Sequence, residues 1–190
     1  MPVDRMKDPI QLLYRYYPEG ETITAILTEH GLAVAEKCRS IALKMKHPAV
    51  DPDFVFEAAM LHDIGIRFTH APEIGCFGEL PYLCHGYLGH DLLLAEGLPR
   101  HALVCERHTG TGLTMRDILD KNLPIPLRPM TPVSLEEKLI AYCDKFFSKT
   151  GDLRIDGDVA QIAASLGRYG EKKRLEFLAW HDYFSAFDTR

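Results

Sequence analysis

The sequence predicts an all-α fold, a bundle of helices. Three observations carry that expectation. Apolar residues recur at three- and four-residue spacing along most of the 190-residue chain. Proline, glycine and capping residues fall at the ends of those periodic runs. Convincing strand alternation is missing, as are internal repeats and low-complexity stretches. A chain of this length can bury a real core without disulfide staples. A single domain over residues 1–190 is expected, with its core at about 22–150 and C-terminal helices at 156–187 packed on it.

The elements follow in order. A short N-terminal stretch holds Leu12, Leu13, Tyr16 and Tyr17. A long helix is then expected from about Thr22 to Lys46, with Ile23, Leu27, His30, Val34, Cys38, Ile41 and Met45 on one stripe. His47-Pro48 stops it. Asp51-Pro52 reads as a cap with proline at the first helical position, opening a helix from Asp53 to Ile64 that Gly65 is placed to terminate. Residues 66–83, with Pro72, Gly75, Gly78 and Pro81, read as an irregular loop. Helices over about Gly86–Glu96 and Pro99–His108 follow, then a short one after Thr114. The proline-rich run 124–129 is an extended connector. Ser134 with Glu137 forms a capping box opening a helix to about Lys149. Asp156–Tyr169 and Lys172–Phe187 are the last two helices.

Composition narrows the function classes. The chain is 46% hydrophobic and 26% charged, which suits a globular protein. A net charge of -5 argues against bulk nucleic-acid binding. A small phosphate ester is still allowed, because a bound metal outweighs the global charge locally. Cys38, Cys76, Cys84, Cys105 and Cys143 are odd in number and lack a C-x-x-C pair, so buried reduced thiols in a cytoplasmic protein are expected. No apolar run approaches membrane-spanning length, and the opening MPVDRMKDPIQ lacks the apolar stretch of a signal peptide.

Against this background, a few ionisable residues stand in apolar surroundings. His62-Asp63 ends a helix built from Phe54, Val55, Phe56, Ala58, Ala59, Met60 and Leu61. Burying two such groups is costly unless they are paired or bound to a metal. His30 occupies a core position on the long helix, and Asp144 lies within the apolar run LIAYCDKFF. Each alone has an ordinary explanation: a capping pair, a hydrogen-bonded core histidine, a salt bridge. Together, two imidazoles and two carboxylates make a mixed N/O ligand set suited to Fe, Mn, Zn, Co or Ni. His85 and His108 stand near helix ends and could hold a second ion beside the first if Asp63 bridges. His90 competes with His85 for that role, and His85 is preferred. His47, His70, His101 and His181 read as surface residues.

The ordered set His30, His62-Asp63, His85, His108 and Asp144 resembles the HD superfamily of metal-dependent phosphohydrolases. The text AAMLHDIG is similar to the family's HDIG signature, and LIAYCDKFF to the helix carrying its last Asp. The resemblance covers about residues 23–149 and implies an HD-domain helical bundle with the metal site between central helices. The HG at His85 and the HTG at His108 resemble the YqeK-like branch. That likeness implies a di-iron site and hydrolysis of symmetrical dinucleoside polyphosphates such as diadenosine tetraphosphate. It places His30, His62, Asp63 and Asp144 on one ion, and Asp63, His85 and His108 on the other. Many relatives carry Lys directly after HDIG, where this chain has Ile66 followed by Arg67. The GYP motif of cyclic-di-GMP phosphodiesterases is absent.

The expected chemistry is hydrolysis of a small phosphorylated substrate, a nucleotide or related ester or anhydride, by a metal-activated hydroxide attacking phosphorus. One or two divalent ions are expected, with Fe the first choice and Mn, Zn, Co, Ni or Mg allowed. Asp63 is the central catalytic carboxylate. Arg67 and Lys145, the basic residues nearest the ligands in sequence, are expected to offset developing negative charge. The alternatives are an HD-type di-iron oxygenase and a non-catalytic nucleotide-binding module. No membrane or nucleic-acid partner is expected. The last forty residues, with Trp180, could pack on the core, cover the pocket or form a homodimer face.

Overall fold

Helix α2, Thr22–Met45, is the spine of the fold. The computed structural model describes residues 8–150 and 158–188. In α2, Ile23, Leu27, His30, Val34, Cys38 and Ile41 are buried, as the apolar stripe requires. The helix stops where Lys46 turns left-handed at φ 48°, just before His47-Pro48. Ahead of it, α1 (Pro9–Tyr16) is capped by the Asp8 carboxylate, which accepts from Ile10 N at 2.9 Å. This helix buries Leu12 and Leu13.

Helix α3, Pro52–Leu61, packs along α2. The Asp51 side chain accepts from Asp53 N and Phe54 N at its start, a cap of about 1 kcal/mol. The expected end at Ile64 is corrected: α3 closes at Leu61, and a 3-10 turn over Ile64–Phe68 carries the chain onward. Gly65 therefore does not terminate the helix. A Cβ there would lie 2.1 Å from His85 O and 2.4 Å from Gly89 N, so glycine lets this turn press against α4, His85–Ala95.

The segment read as an irregular loop holds a small sheet: β1 Thr69–Ala71, β2 Cys76–Phe77 and β3 Leu80–Pro81, in the order β2-β1-β3. Strands of two and three residues are too short to show alternation in sequence. Helix α5 (Pro99–Arg107) lies along α4, and α6 (Met115–Asp120) opens with a reciprocal Thr114/Asp117 capping box. Helix α7, Leu135–Asp144, begins with Ser134 Oγ accepting from Glu137 N at 3.0 Å. The box is only half formed, because the Glu137 carboxylate accepts from Val133 N and pairs with Arg107. The helix ends at Asp144, short of the expected Lys149.

Helices α8 (Val159–Gly167) and α9 (Glu171–Phe184) are followed by a 3-10 turn over Ser185–Phe187, so the last helix stops short of the expected Phe187; the expected start at Asp156 lies outside the described residues. The ring of Tyr142 on α7 meets Phe177 and Phe184 at centroid distances of 5.8 and 5.3 Å, which seats α9 on the core. Trp180 is buried in the same cluster. All five cysteines are buried free thiols. Two of the four histidines read as surface residues are not. His101 is buried edge-on against Phe54, with 4.9 Å between ring centroids. His181 is half-buried, with Nδ1 3.0 Å from the Tyr142 hydroxyl. His47 and His70 are exposed.

Candidate metal centre

Three histidines reach the centre by the same local device. His62 follows the end of α3, His108 follows the end of α5, and His85 follows a 3-10 turn over Tyr82–Cys84. Helix ends leave backbone carbonyls without intrahelical partners. Each of these imidazoles turns back to the carbonyl three residues earlier, which at Tyr82 also accepts from the His85 backbone N–H. His62 Nδ1 meets Ala59 O at 2.6 Å, His85 Nδ1 meets Tyr82 O at 2.6 Å, and His108 Nδ1 meets Cys105 O at 2.7 Å. A carbonyl only accepts, so each Nδ1 carries the proton and each Nε2 is free to present a lone pair. This is the orientation a metal-binding imidazole needs. His30 arrives differently, from mid-α2, and its Nδ1 has no partner.

The four Nε2 atoms and two carboxylates converge. His30 Nε2 lies 3.3 Å from His62 Nε2 and 3.1 Å from Asp144 Oδ1. His62 Nε2 lies 3.3 Å from that same oxygen. His85 Nε2 and His108 Nε2 stand 3.1 Å apart. Asp63 sits between the two sets. Its Oδ2 faces His30 and His62 at 3.4 and 3.1 Å, and its Oδ1 faces His85 and His108 at 3.5 Å each. His30, His62, Asp63 and Asp144 thus form one group able to hold an ion, and Asp63, His85 and His108 form another.

The donor set fits a divalent cation. Bonds of about 2.0–2.2 Å to one ion put neighbouring ligand atoms about 3 Å apart, and the separations above are of that size. Both Asp63 oxygens are buried without a hydrogen bond of good geometry, although the Lys149 ammonium lies 2.6 Å from Oδ2 as an ion pair. Facing imidazole nitrogens at such distances repel unless a proton or a cation lies between them.

Burial alone would raise the pKa of both carboxylates. For Asp63, the charges of His62 and Lys149 reverse this and hold it well below the usual carboxylate range. For Asp144, Lys145 and Lys149 do the same. Burial keeps His30, His85 and His108 neutral, with His85 pushed down to about 3. His62 resists its burial, because Asp63 and Asp144 lift it to about 9. With no cation bound, the ammonium groups of Lys145 and Lys149 offset the two carboxylates.

A profile of the HD domain matches residues 27–148, more than half of the chain. The chain belongs to the HD-domain family. Proteins of this family are generally metal-dependent phosphohydrolases. Among relatives, the uncharacterized protein MJ0778 of Methanocaldococcus jannaschii is 32% identical over 145 residues, 75% of this chain and 78% of that protein. A tRNA (cytidine(56)-2'-O)-methyltransferase of Picrophilus torridus is 26% identical over 143 residues, 72% of this chain but 38% of that longer protein. No solved structure matches the chain significantly.

Within this HD domain, the structure brings all six candidate ligands together and leaves His90 outside, beside Asp91 at 2.8 Å. Lys145 stands at the edge of the centre, its Nζ 2.6 Å from Asp144 Oδ2, the oxygen turned away from the histidines. Arg67 is not brought to the centre. Its exposed guanidinium lies 3.4 Å from Glu21 and over the Tyr17 ring, and its backbone N–H donates to the Tyr17 hydroxyl. Closeness in sequence to the His62-Asp63 pair misled, because the 3-10 turn aims that side chain toward the start of α2. Lys149 is the residue that sequence reasoning missed. It follows the end of α7, where no periodicity reports direction; two lysines within five residues of a buried Asp were the only hint.

Proposed function

We propose that this HD domain hydrolyses a phosphoester or phosphoanhydride bond in a small nucleotide or related phosphate. His30, His62, Asp63 and Asp144 would hold one divalent cation, and Asp63, His85 and His108 a second. The observation that carries the reading is the shared carboxylate: the two oxygens of Asp63 face two separate sets of imidazole nitrogens. Iron is the first choice of metal and a symmetrical dinucleoside polyphosphate the finer choice of substrate, both by resemblance to the YqeK-like branch.

A bound divalent cation supplies Lewis acidity toward phosphoryl oxygens and makes water a stronger nucleophile near neutral pH. The chain supplies the rest. The carbonyls of Ala59, Tyr82 and Cys105 fix three imidazoles in one tautomer and direction. Burial of all six ligands excludes bulk water and strengthens every charge interaction among them. Lys145, partly exposed beside Asp144, is placed to meet an arriving phosphate and offset charge developing on it.

Metal analysis of protein purified with and without oxygen, followed by an anaerobic screen of nucleotides, cyclic nucleotides and dinucleoside polyphosphates, tests the proposal. We expect bound transition metal and turnover of at least one phosphate ester or anhydride without O2. Metal-loaded protein that turns over no phosphate substrate, or acts only when O2 is supplied, overturns it.

A further inference from the structure

Lys149 holds a position that the proposed reaction does not explain. A Ser148/Thr150 turn brackets it: Ser148 Oγ lies 2.8 Å from Thr150 O and accepts from Thr150 N at 3.1 Å. From there the side chain, mostly buried, runs inward and puts its ammonium 2.6 Å from Asp63 Oδ2. The charge of the same ammonium also acts on the Tyr82 hydroxyl, whose ring lies against His85 with centroids 4.7 Å apart. The contrast with Lys145 is informative. Lys145 pairs with the outer oxygen of Asp144, leaving Oδ1 to the histidines. Lys149 pairs with the inner oxygen of Asp63, the one His30 and His62 face. One lysine can stay in place when an ion is bound; the other stands on a bond that the ion needs.

Charge balance leads to the same point. Asp63 and Asp144 carry two negative charges, and Lys145 and Lys149 two positive ones. Without an ion the four offset one another. A divalent cation ligated by Asp63 Oδ2, with a bond of about 2.1 Å, would stand within about 5 Å of the Lys149 ammonium. Two like charges that close in a buried site repel strongly. The four-carbon stem of a lysine, unlike a fixed ligand, can swing away.

We propose that Lys149 is a tethered counter-ion: it competes with the metal for Asp63 and, once displaced, turns to the mouth of the site and contacts the phosphate of the substrate. The competition rests on the metal-site reading. The phosphate contact rests on the proposed reaction as well. The metal-loaded centre with both lysines carries excess positive charge, which an incoming phosphate dianion neutralises. Metal then precedes anion, and Lys149 couples the two events.

The test uses the full-length protein, stripped with chelator and titrated with Mn(II) by calorimetry, in wild type, Lys149→Met, Lys149→Gln and Lys149→Arg. Removing the competing charge is expected to tighten Mn(II) binding roughly tenfold in the Met and Gln variants, with Arg near wild type. Inorganic phosphate, titrated into the Mn(II)-loaded proteins, is expected to bind roughly tenfold more weakly to the Met and Gln variants. Circular dichroism checks that each variant is folded, and the Gln variant serves if Met is not. Unchanged or weaker Mn(II) affinity in a folded neutral variant would overturn the assignment even if hydrolysis persists. Tighter Mn(II) binding with weaker phosphate binding, in a protein that hydrolyses nothing, would retain Lys149 in its role and discard only the reaction.

Discussion

Asp63 is the residue on which the centre turns, because each of its oxygens serves a different set of imidazoles. Asp63→Asn keeps the shape and removes the charge. It is expected to lose most bound metal and at least about 100-fold in kcat/KM. Elemental analysis of the folded variant checks the first figure, and steady-state kinetics on whichever substrate the screen finds checks the second. Arg67 gives the opposite expectation. Its guanidinium serves Glu21 and Tyr17 in an exposed contact, so Arg67→Ala should leave metal content unchanged and activity within about twofold. A large loss would return Arg67 to the catalytic list. His101 supplies a pH dependence. Burial, aided by the charge of Arg100, lowers it from 6.5 to about 4, so the fold holds it neutral. Between those values the unfolded chain binds a proton that the folded chain refuses. The stability this contributes is therefore complete above about pH 6.5 and lost as pH falls toward 4, a change on the order of 3 kcal/mol. Glu57 Oε2, 3.5 Å from Nε2, trims the effect by favouring the charged ring. Denaturant titrations across that range should show the slope in wild type and a weaker one in His101→Gln. The residues legible in sequence share one property. His30, His62, Asp63 and Asp144 are ionisable groups in apolar runs, and burying them without partners is so unfavourable that their presence announces a partner. His101 escaped because a histidine in a charged, amphipathic helix is no anomaly until Phe54 closes over it.

At the scale of elements, the centre is built from helix ends. Helices α3 and α5 stop just before a histidine, and α4 begins on one. Carbonyls three residues back lock the imidazoles. Capping residues and apolar stripes located most helices in sequence to within a few residues, because Asp51, Thr114 and Ser134 cap by local hydrogen bonds that need no tertiary partner. The ends next to the centre were less legible. Helix α3 stops at Leu61 rather than Ile64, and α7 stops at Asp144 rather than near Lys149, since tertiary contacts and not local propensity decide where those chains turn. Gly65 shows the same limit. It looks like a helix stop, yet its task is close approach to the backbone of α4. Gly65→Ala would set a methyl against His85 O and Gly89 N, and backbone cannot move aside as a side chain can. We expect a loss of about 3 kcal/mol or more, read as a lower denaturation midpoint. Because α4 begins at His85, lower metal occupancy should accompany it. Wild-type stability in this variant would mean that α4 is free to shift, contrary to the packing described.

For the whole molecule, the centre is a junction. Its ligands come from α2, the end of α3, the start of α4, the end of α5 and the end of α7. An ion held by all of them would tie distant parts of the chain together, and the unfolded chain offers no such site. Removing metal with a chelator should therefore lower Tm, and adding it back should restore it. At free metal 100-fold above Kd the stabilisation amounts to about 2.7 kcal/mol. A Tm indifferent to metal would argue against a site that spans the fold. The helical architecture was readable because period and caps are local. That the last helices pack on the core was expected, but the contact that seats α9 was not legible, since it depends on Tyr142 meeting Phe177 and Phe184 across the chain. The most direct test of the central claim is anomalous diffraction from crystals of protein loaded with Fe(II) or Mn(II). At least one peak is expected, about 2.0–2.3 Å from His30 Nε2, His62 Nε2 and carboxylate oxygens of Asp63 and Asp144, with a second peak beside Asp63, His85 and His108 if two ions bind. Metal-replete crystals with no anomalous density among these six side chains, or with the ion bound elsewhere, would contradict it.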